Sequence, residues 1–385
     1  MKGFMMPGRV GSLLLICLVV IACYPLPALS TEKAASIQHV FLVSVDGLNY
    51  ESYAAYAKSN AKYLAIEGVS APRSLAIRAD TVEAGEATLL TGCLPDQHRY
   101  FTRHDKVETE SLLDVFVKKK LGILVVDGSG GKLKGFCRGS KEYVEVAANE
   151  PDSRVMERAL AVFKQENPFF TYIYLDDCRE ALLQPTREAY NEALKQSDIE
   201  IGRLIGSLKE WGIYDQSVII ITAARSSSDD DLVPVVLKAP GIKPYTAVEG
   251  VTVFDVAPTI CSLAGLSPPY ACAGLTIWNA FLTQNEKQEK EFMERRLQEL
   301  EKERIKNWTR YYELDKEKLR LIRQMEEIKD ERQRIFGYAE ERESAIGSLR
   351  QKLLYTRTGA GIFILVLLAG YYVEYRVLKR RFTLF

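Results

Sequence analysis

Between residues 38 and about 282, short runs of β-branched and aromatic residues alternate with longer stretches whose apolar positions recur every three or four residues. The runs predicted as strands are 39–45, 122–126, 169–175, 217–222 and 233–237. Each is nearly continuous in Val, Ile, Leu or Phe, the pattern of strands covered on both faces. Helical spacing marks 110–120, 152–166 and 185–211. In the last, Tyr190, Leu194, Ser197, Ile201, Leu204, Ile205 and Leu208 form one stripe, which predicts a helix laid against the sheet ahead of the strand at Ser217. The alternation predicts an α/β domain over 38–282, a mostly parallel sheet with helices on both faces. No period of 20 to 50 residues is visible, which argues against a solenoid or propeller.

The pattern changes after 285. Gly and Pro nearly vanish up to 354, and steps of four and three run through Leu321, Met325, Ile328, Arg332, Ile335, Ala339, Arg342, Ile346, Leu349 and Leu353. This heptad seam with two charged positions predicts a helical coiled-coil stalk over 285–354 that assembles as a homo-oligomer. A lone solvated helix is the alternative.

Residues 359–373 are uncharged and apolar, between Arg357 on one side and Glu374 and Arg376 on the other. At about 1.5 Å per residue they reach roughly 22 Å, short of a hydrocarbon core of about 30 Å. Leu353, Leu354, Val377 and Leu378 lengthen the stretch, and Tyr371, Tyr372 and Tyr375 suit the interface. A transmembrane helix over 358–378 is expected, in preference to a buried core helix. Lys379-Arg380-Arg381 then makes 379–385 a cytoplasmic tail. The N-terminal 30 residues, with Lys2, Arg9, an apolar run over 13–22 and the small-residue stretch Ala28-Leu29-Ser30, read as a signal peptide. Val20-Ile21-Ala22-Cys23 also fits a lipoprotein cleavage box, so lipidation of Cys23 stays open. The expected localisation is the cell membrane, single-pass, with the large domain extracytoplasmic.

Lys plus Arg and Asp plus Glu both number 51, so no basic excess points to nucleic acid. Outside the signal lie Cys93, Cys137, Cys178, Cys261 and Cys272, an odd set that permits at most two bridges. Cys261 and Cys272 are the preferred pair, with buried free thiols as the alternative. Asn307-Trp308-Thr309 fits a glycosylation sequon.

Several local signals carry chemistry. Val43-Ser44-Val45-Asp46-Gly47 ends the first strand, and Ala87-Thr88-Leu89-Leu90-Thr91-Gly92 follows some 40 residues on. Then come Tyr174-Leu175-Asp176-Asp177, Ile219-Ile220-Ile221-Thr222-Ala223, Val233-Pro234-Val235-Val236 and Val253-Phe254-Asp255-Val256-Ala257-Pro258-Thr259. In order and spacing this series resembles the alkaline phosphatase superfamily, nearest its nucleotide pyrophosphatase/phosphodiesterase branch.

The resemblance implies a site at the carboxyl ends of the strands, where active members hold two divalent metals that activate a Thr or Ser nucleophile. Asp46 matches the first metal-binding Asp, and Asp176 the Asp that opens an Asp-x-x-Gly-His motif, with Glu180 at the place of the His. The remainder departs. The family's Asp-His-Gly reads Ala224-Arg225-Ser226, the nucleophile position falls on Val82, and the phosphate-contacting Asn on Gly85. A one-residue shift offers Thr81 as nucleophile, with Asp80 and Glu83 nearby. None of the three histidines, His39, His98 and His104, occupies a ligand position.

The expectation is therefore a catalytically inactive pseudoenzyme with a remnant site of Asp46, Asp176, Glu180 and Arg225, acting in binding, scaffolding or assembly. No cofactor is expected. The alternative is an active phosphodiesterase or phosphatase-type hydrolase with an atypical divalent-metal site on Asp46, Asp176 and Glu180, with Asp229, Asp230 or Asp231 as further oxygen ligands. Arg225 is expected to pair with Asp46 or Asp176 in place of metal. The membrane is the partner the sequence specifies; it names no protein partner.

Overall fold

A computed structural model describes residues 36–56, 59–77, 79, 81–136, 142–184, 186–226, 231–283 and 285–382. The signal segment 1–30 lies outside the described residues, as do Asp80, Cys137, Asp229 and Asp230. The chain divides into two compact units, 1–302 and 303–385.

The first unit is built on one sheet of eight strands: β1 (His39–Val45), β2 (Val69–Leu75), β3 (Ile123–Asp127), β4 (Glu142–Glu145), β5 (Phe170–Leu175), β6 (Ser217–Thr222), β7 (Leu232–Lys238) and β8 (Thr246–Ala247). Their order is β4-β3-β5-β1-β6-β7-β2-β8. Pairing is parallel except where β7 meets β6 and β2. The helices are α1 (Tyr50–Ala55), α2 (Asn60–Ile66), α3 (Val82–Thr91), α4 (Pro95–His98), α5 (Leu112–Lys118), α6 (Asp152–Glu166), α7 (Asp177–Leu182), α8 (Arg187–Glu210), α9 (Val256–Leu263) and α10 (Glu286–Phe382).

Every residue of β1, β3, β5 and β6 is buried, as their continuous apolar runs require. Alternate side chains leave β1 on opposite faces. The Phe41 ring lies 4.9 Å from Phe163 on α6, whereas the Ser44 hydroxyl bonds Glu86 on α3. Helices thus cover both faces. The α6 stripe of Val155, Met156, Ala159 and Phe163 is buried, as are Tyr190, Ile201, Leu204, Ile205 and Leu208 of α8.

Register sets the site. Val45 lies opposite Leu175 of β5, and Ser44 opposite Thr222 of β6. The residues that follow these strands therefore emerge side by side at the carboxyl edge.

The structure departs from the sequence reading in places. β2, β4 and β8 were not expected. The sequence of β2, VSAPRSL, carries Pro72 and Arg73, and the proline falls in a register shift between Ala71 and Ser74, where a missing N–H is tolerated. The helix expected over 110–120 is trimmed to α5 by a capping box in which Ser111 and Asp114 satisfy each other's backbone. The apolar run 87–91, to which the sequence reading gave no element, ends α3, with Gly92 as its left-handed cap (φ 66°). Cys93, Cys178, Cys261 and Cys272 are free thiols, so the expected Cys261–Cys272 bridge is absent. The Cys272 sulfur lies against Gly92 instead, and burial pushes the Cys261 thiol up to about 12.

Within the first unit, the opening turns of α10 dock by stacking Phe292 on Trp278, 5.0 Å between centroids, while Trp278 Nε1 donates to Glu299 at 3.0 Å. In the second unit the described side chains of α10 are exposed, apart from the half-buried Glu303 and Arg310. This helix is long and apolar enough to cross a membrane.

Candidate functional site

Asp46 and Asp176 directly follow β1 and β5, and Arg225 lies three residues past β6. All three are buried. A parallel bridge to Ile77 fixes the backbone of Arg225, and its Nη2 donates to Asp46 Oδ2. The two side chains are 6% and 2% exposed, so the ion pair is almost fully withdrawn from water. Burial works against the Arg225 charge, but Asp46, together with Tyr174 and Glu86, outweighs it and the guanidinium pKa is raised.

Room for Arg225 comes from Gly85 on α3. A Cβ there would overlap Arg225 Cγ and lie 2.7 Å from Cδ. The position read as a missing phosphate-contacting Asn is thus the space through which the arginine stem passes.

Tyr174 ties the two aspartates together: its hydroxyl lies 2.7 Å from Asp46 Oδ2 and 3.1 Å from Asp176 Oδ1. Asp176 is pushed up to about 6, first by burial and then by the charge of Asp46. Its Oδ2 and Arg225 Nε are buried without a hydrogen-bond partner. Beneath this pair, Glu86 is completely buried between Tyr172, whose hydroxyl donates to it, and Ser44, whose Oγ donates at 2.9 Å. Burial lifts Glu86 to about 8, so it carries its proton at neutral pH. Asp152 holds the segment after β5 by accepting from Asp176 N (3.0 Å), Asp177 N (3.2 Å) and Ser197 Oγ (2.6 Å). Burial, then the neighbouring Asp177, raises it to about 7.

The remaining sequence candidates stand apart from this cluster. Glu180 is exposed on α7, where its backbone N–H bonds Asp176 O at 3.0 Å and its charge adds to the field raising Asp176. Thr81 is the N-cap of α3, its Oγ1 accepting from Ala84 N at 3.2 Å, and Val82 is buried in the core. Asp231 O accepts from Ala76 N at 2.8 Å. Asp255 accepts from Thr252 N at 2.8 Å and Leu275 N at 2.6 Å, a loop-tying role.

The hydrogen-bond partners of the three histidines all lie outside this cluster. His39 opens β1 with Nδ1 2.8 Å from Pro168 O, at the strand end opposite Asp46. His98 is buried with Nε2 3.2 Å from Thr88 Oγ1, and burial lowers it to about 4. His104 lies on the surface.

A pair of zinc ions does not fit this donor set. Asp46 is engaged by a guanidinium and a phenol, Asp176 is bound to the same phenol, Glu180 points to solvent, and no imidazole is at hand. Among the described residues no group of three His, Cys, Asp or Glu side chains could hold a metal.

Sequence reading singled out Asp46, Asp176 and Arg225 but missed Tyr172, Tyr174, Glu86 and Asp152. Two signals were available. Tyr172 and Tyr174 are two apart on one strand, hence on one face, and Glu86 interrupts the otherwise small and apolar helix 84–90.

No family model matches the chain. Over 214 residues it is 24% identical to the inner membrane protein YejM of Salmonella typhimurium, covering 52% of this chain and 35% of that protein. The chain thus spans about a third of the length of the curated relatives it matches. Among solved structures, the lipoteichoic acid synthase LtaP from Listeria monocytogenes superposes with a TM-score of 0.53 at 15% identity, covering 64% of this chain and 77% of that one. The murine ectonucleotide pyrophosphatase/phosphodiesterase 5 does so with 0.51 at 11%, covering 60% and 96%. The first unit has the alkaline phosphatase superfamily fold.

Proposed function

We propose that this protein is a membrane-anchored, extracytoplasmic member of that fold which does not hydrolyse phosphoesters and serves in binding, scaffolding or assembly. The observation that carries the reading is the buried Arg225–Asp46 pair, which puts a fixed cation on the carboxylate that relatives are expected to use for metal. Gly85 supplies the room, and no imidazole replaces the missing ligands. Likeness to an inner membrane protein and the apolar stretch of α10 support the anchor. Lys379-Arg380-Arg381 supports a cytoplasmic C-terminus.

The test is direct. Purified protein is expected to hold no stoichiometric zinc and to give no zinc-dependent turnover of phosphomonoester or phosphodiester substrates. Tightly bound zinc, with turnover abolished by Asp46→Asn, would overturn the reading. Protease added to intact cells is expected to digest the α/β domain and to spare a tag at Phe385.

A second reading, an active hydrolase with an atypical site, draws on two observations. Thr81 stands at the N-terminus of α3, and Asp176 Oδ2 is buried without a partner. The same assay separates the two.

A further inference from the structure

The second unit carries an apolar stripe that is bare in the single chain. Leu321, Met325, Ile328, Ile335, Ile346, Leu349 and Leu353 are each more than half exposed. Their spacing puts Leu321, Ile328, Ile335, Arg342 and Leu349 at d positions, and Met325, Arg332, Ala339, Ile346 and Leu353 at a positions. So long a stripe on a charged helix is a face to be covered.

The two arginines say by what. In a parallel, in-register pair of helices, an a side chain packs beside the preceding g residue of the other strand, and a d side chain beside the following e residue. The g residue before Arg332 is Glu331, and the e residue after Arg342 is Glu343. Both cations would therefore meet a carboxylate of a second copy.

A slip of one heptad destroys this match in either direction. Arg332 would then face Tyr338 or Gln324, and Arg342 would face Phe336 or Arg350. In the single chain the Arg332 guanidinium lies 5.5 Å from the Phe336 ring centroid, already turned toward the e side of the seam. A two-stranded coil leaves each guanidinium able to run along its stem to a rim carboxylate.

We propose that residues 303–354 form a parallel, in-register, two-stranded coiled coil with a second copy of this chain, its register set by Arg332–Glu331 and Arg342–Glu343 pairs between copies. The inference rests on the anchoring proposed above, because two helices running into one membrane from the same side are necessarily parallel. It is independent of whether the Asp46 site is catalytic.

The experiment uses the full chain in detergent. Sedimentation is expected to give a dimer. Ile335→Cys, at a d position, is expected to form an intermolecular disulfide under a mild thiol oxidant, whereas Asp330→Cys, on the outer f face, forms little. Glu331→Lys with Glu343→Lys is expected to weaken the dimer by about tenfold, since like charges then meet at both layers. Adding Arg332→Glu and Arg342→Glu restores it. A monomer at high micromolar concentration, a trimeric mass, equal crosslinking at 330 and 335, or charge reversal without effect would each overturn the proposal. None of these readouts involves metal or turnover, so their failure leaves the reading of the Asp46 site untouched. Failure of the chain to fractionate with membranes would instead remove the anchoring on which the parallel orientation depends.

Discussion

Gly85→Ala adds one methyl group to α3, and helix propensity alone would make that a gain of about 1 kcal/mol. The surroundings reverse the sign. The new carbon would overlap Arg225 Cγ and stand 2.7 Å from Cδ, which are mid-stem atoms rather than a free end. That stem is pinned at its backbone by the bridge to Ile77 and at its head by Asp46. If the stem bends and the ion pair survives, overpacking costs about 1–3 kcal/mol. If the pair breaks, the uncompensated buried charge costs about 3–5 kcal/mol. Setting the propensity gain against these leaves a net loss of about 0–2 kcal/mol if the pair survives and about 2–4 kcal/mol if it breaks. Urea unfolding of the full chain, followed by tryptophan fluorescence, reads it, since Trp211 stacks on Phe163 and Trp278 on Phe292. Gly206→Ala on α8 is the control, with nothing within 4 Å of the added carbon and an expected gain of up to about 1 kcal/mol. In an Arg225→Ala background the Gly85→Ala penalty is expected to vanish. A Gly85 variant as stable as the Gly206 control, or a penalty unchanged when Arg225 is gone, would refute the steric argument.

Arg225→Ala leaves Asp46 buried without its cation and is expected to lower stability by about 3–5 kcal/mol, measured by the same unfolding curves; an unchanged midpoint would show that the pair contributes little. The pH profile follows from three carboxyls whose folded pKa values are raised, Asp176 to about 6, Asp152 to about 7 and Glu86 to about 8. Their stabilising contribution is full below the ordinary carboxylate pKa and is lost as pH rises through 6 to 8, because the unfolded chain gives up protons that the folded one keeps. Melting temperature is therefore expected to fall from pH 5.5 to 8.5, with Glu86→Gln flattening the decline; a flat or rising wild-type profile would contradict it.

The central strands were legible because burial on both faces writes itself as an unbroken apolar run, and β1, β5 and β6 fall within a residue of where the pattern places them. β2 was not, because Pro72, Arg73 and two serines dilute the run, and its pairing depends on a tertiary register shift. At the site, Asp46 and Asp176 could be found by following strand ends. Glu180 was placed by motif spacing, yet α7 turns its side chain outward. Tyr172 and Tyr174 were hidden inside an apolar strand because a tyrosine counts as hydrophobic until its hydroxyl is known to have a partner. Gly85 read as a lost side chain, whereas the fold fills its space with the Arg225 stem.

Most of the charge among the buried polar groups is closed from within the fold. Asp46 is matched by Arg225, and burial keeps protons on Glu86 up to about 8 and on Asp152 up to about 7. Asp176, raised to about 6, adds a negative charge at neutral pH, partly relieved by Lys132. A divalent ion at the carboxyl ends of β1 and β5 would have to draw Asp46 away from Arg225 and would leave a guanidinium facing a dication. The arginine cannot simply withdraw, since its backbone is held by Ile77 and its stem is threaded past Gly85. Positions 85 and 225 therefore act as one unit: the glycine admits the arginine, and the arginine makes metal entry electrostatically unfavourable. Restoring a histidine at 225 alone would leave Asp46 without a cation and a space beside Gly85, so that single change is expected to destabilise the domain without conferring zinc affinity.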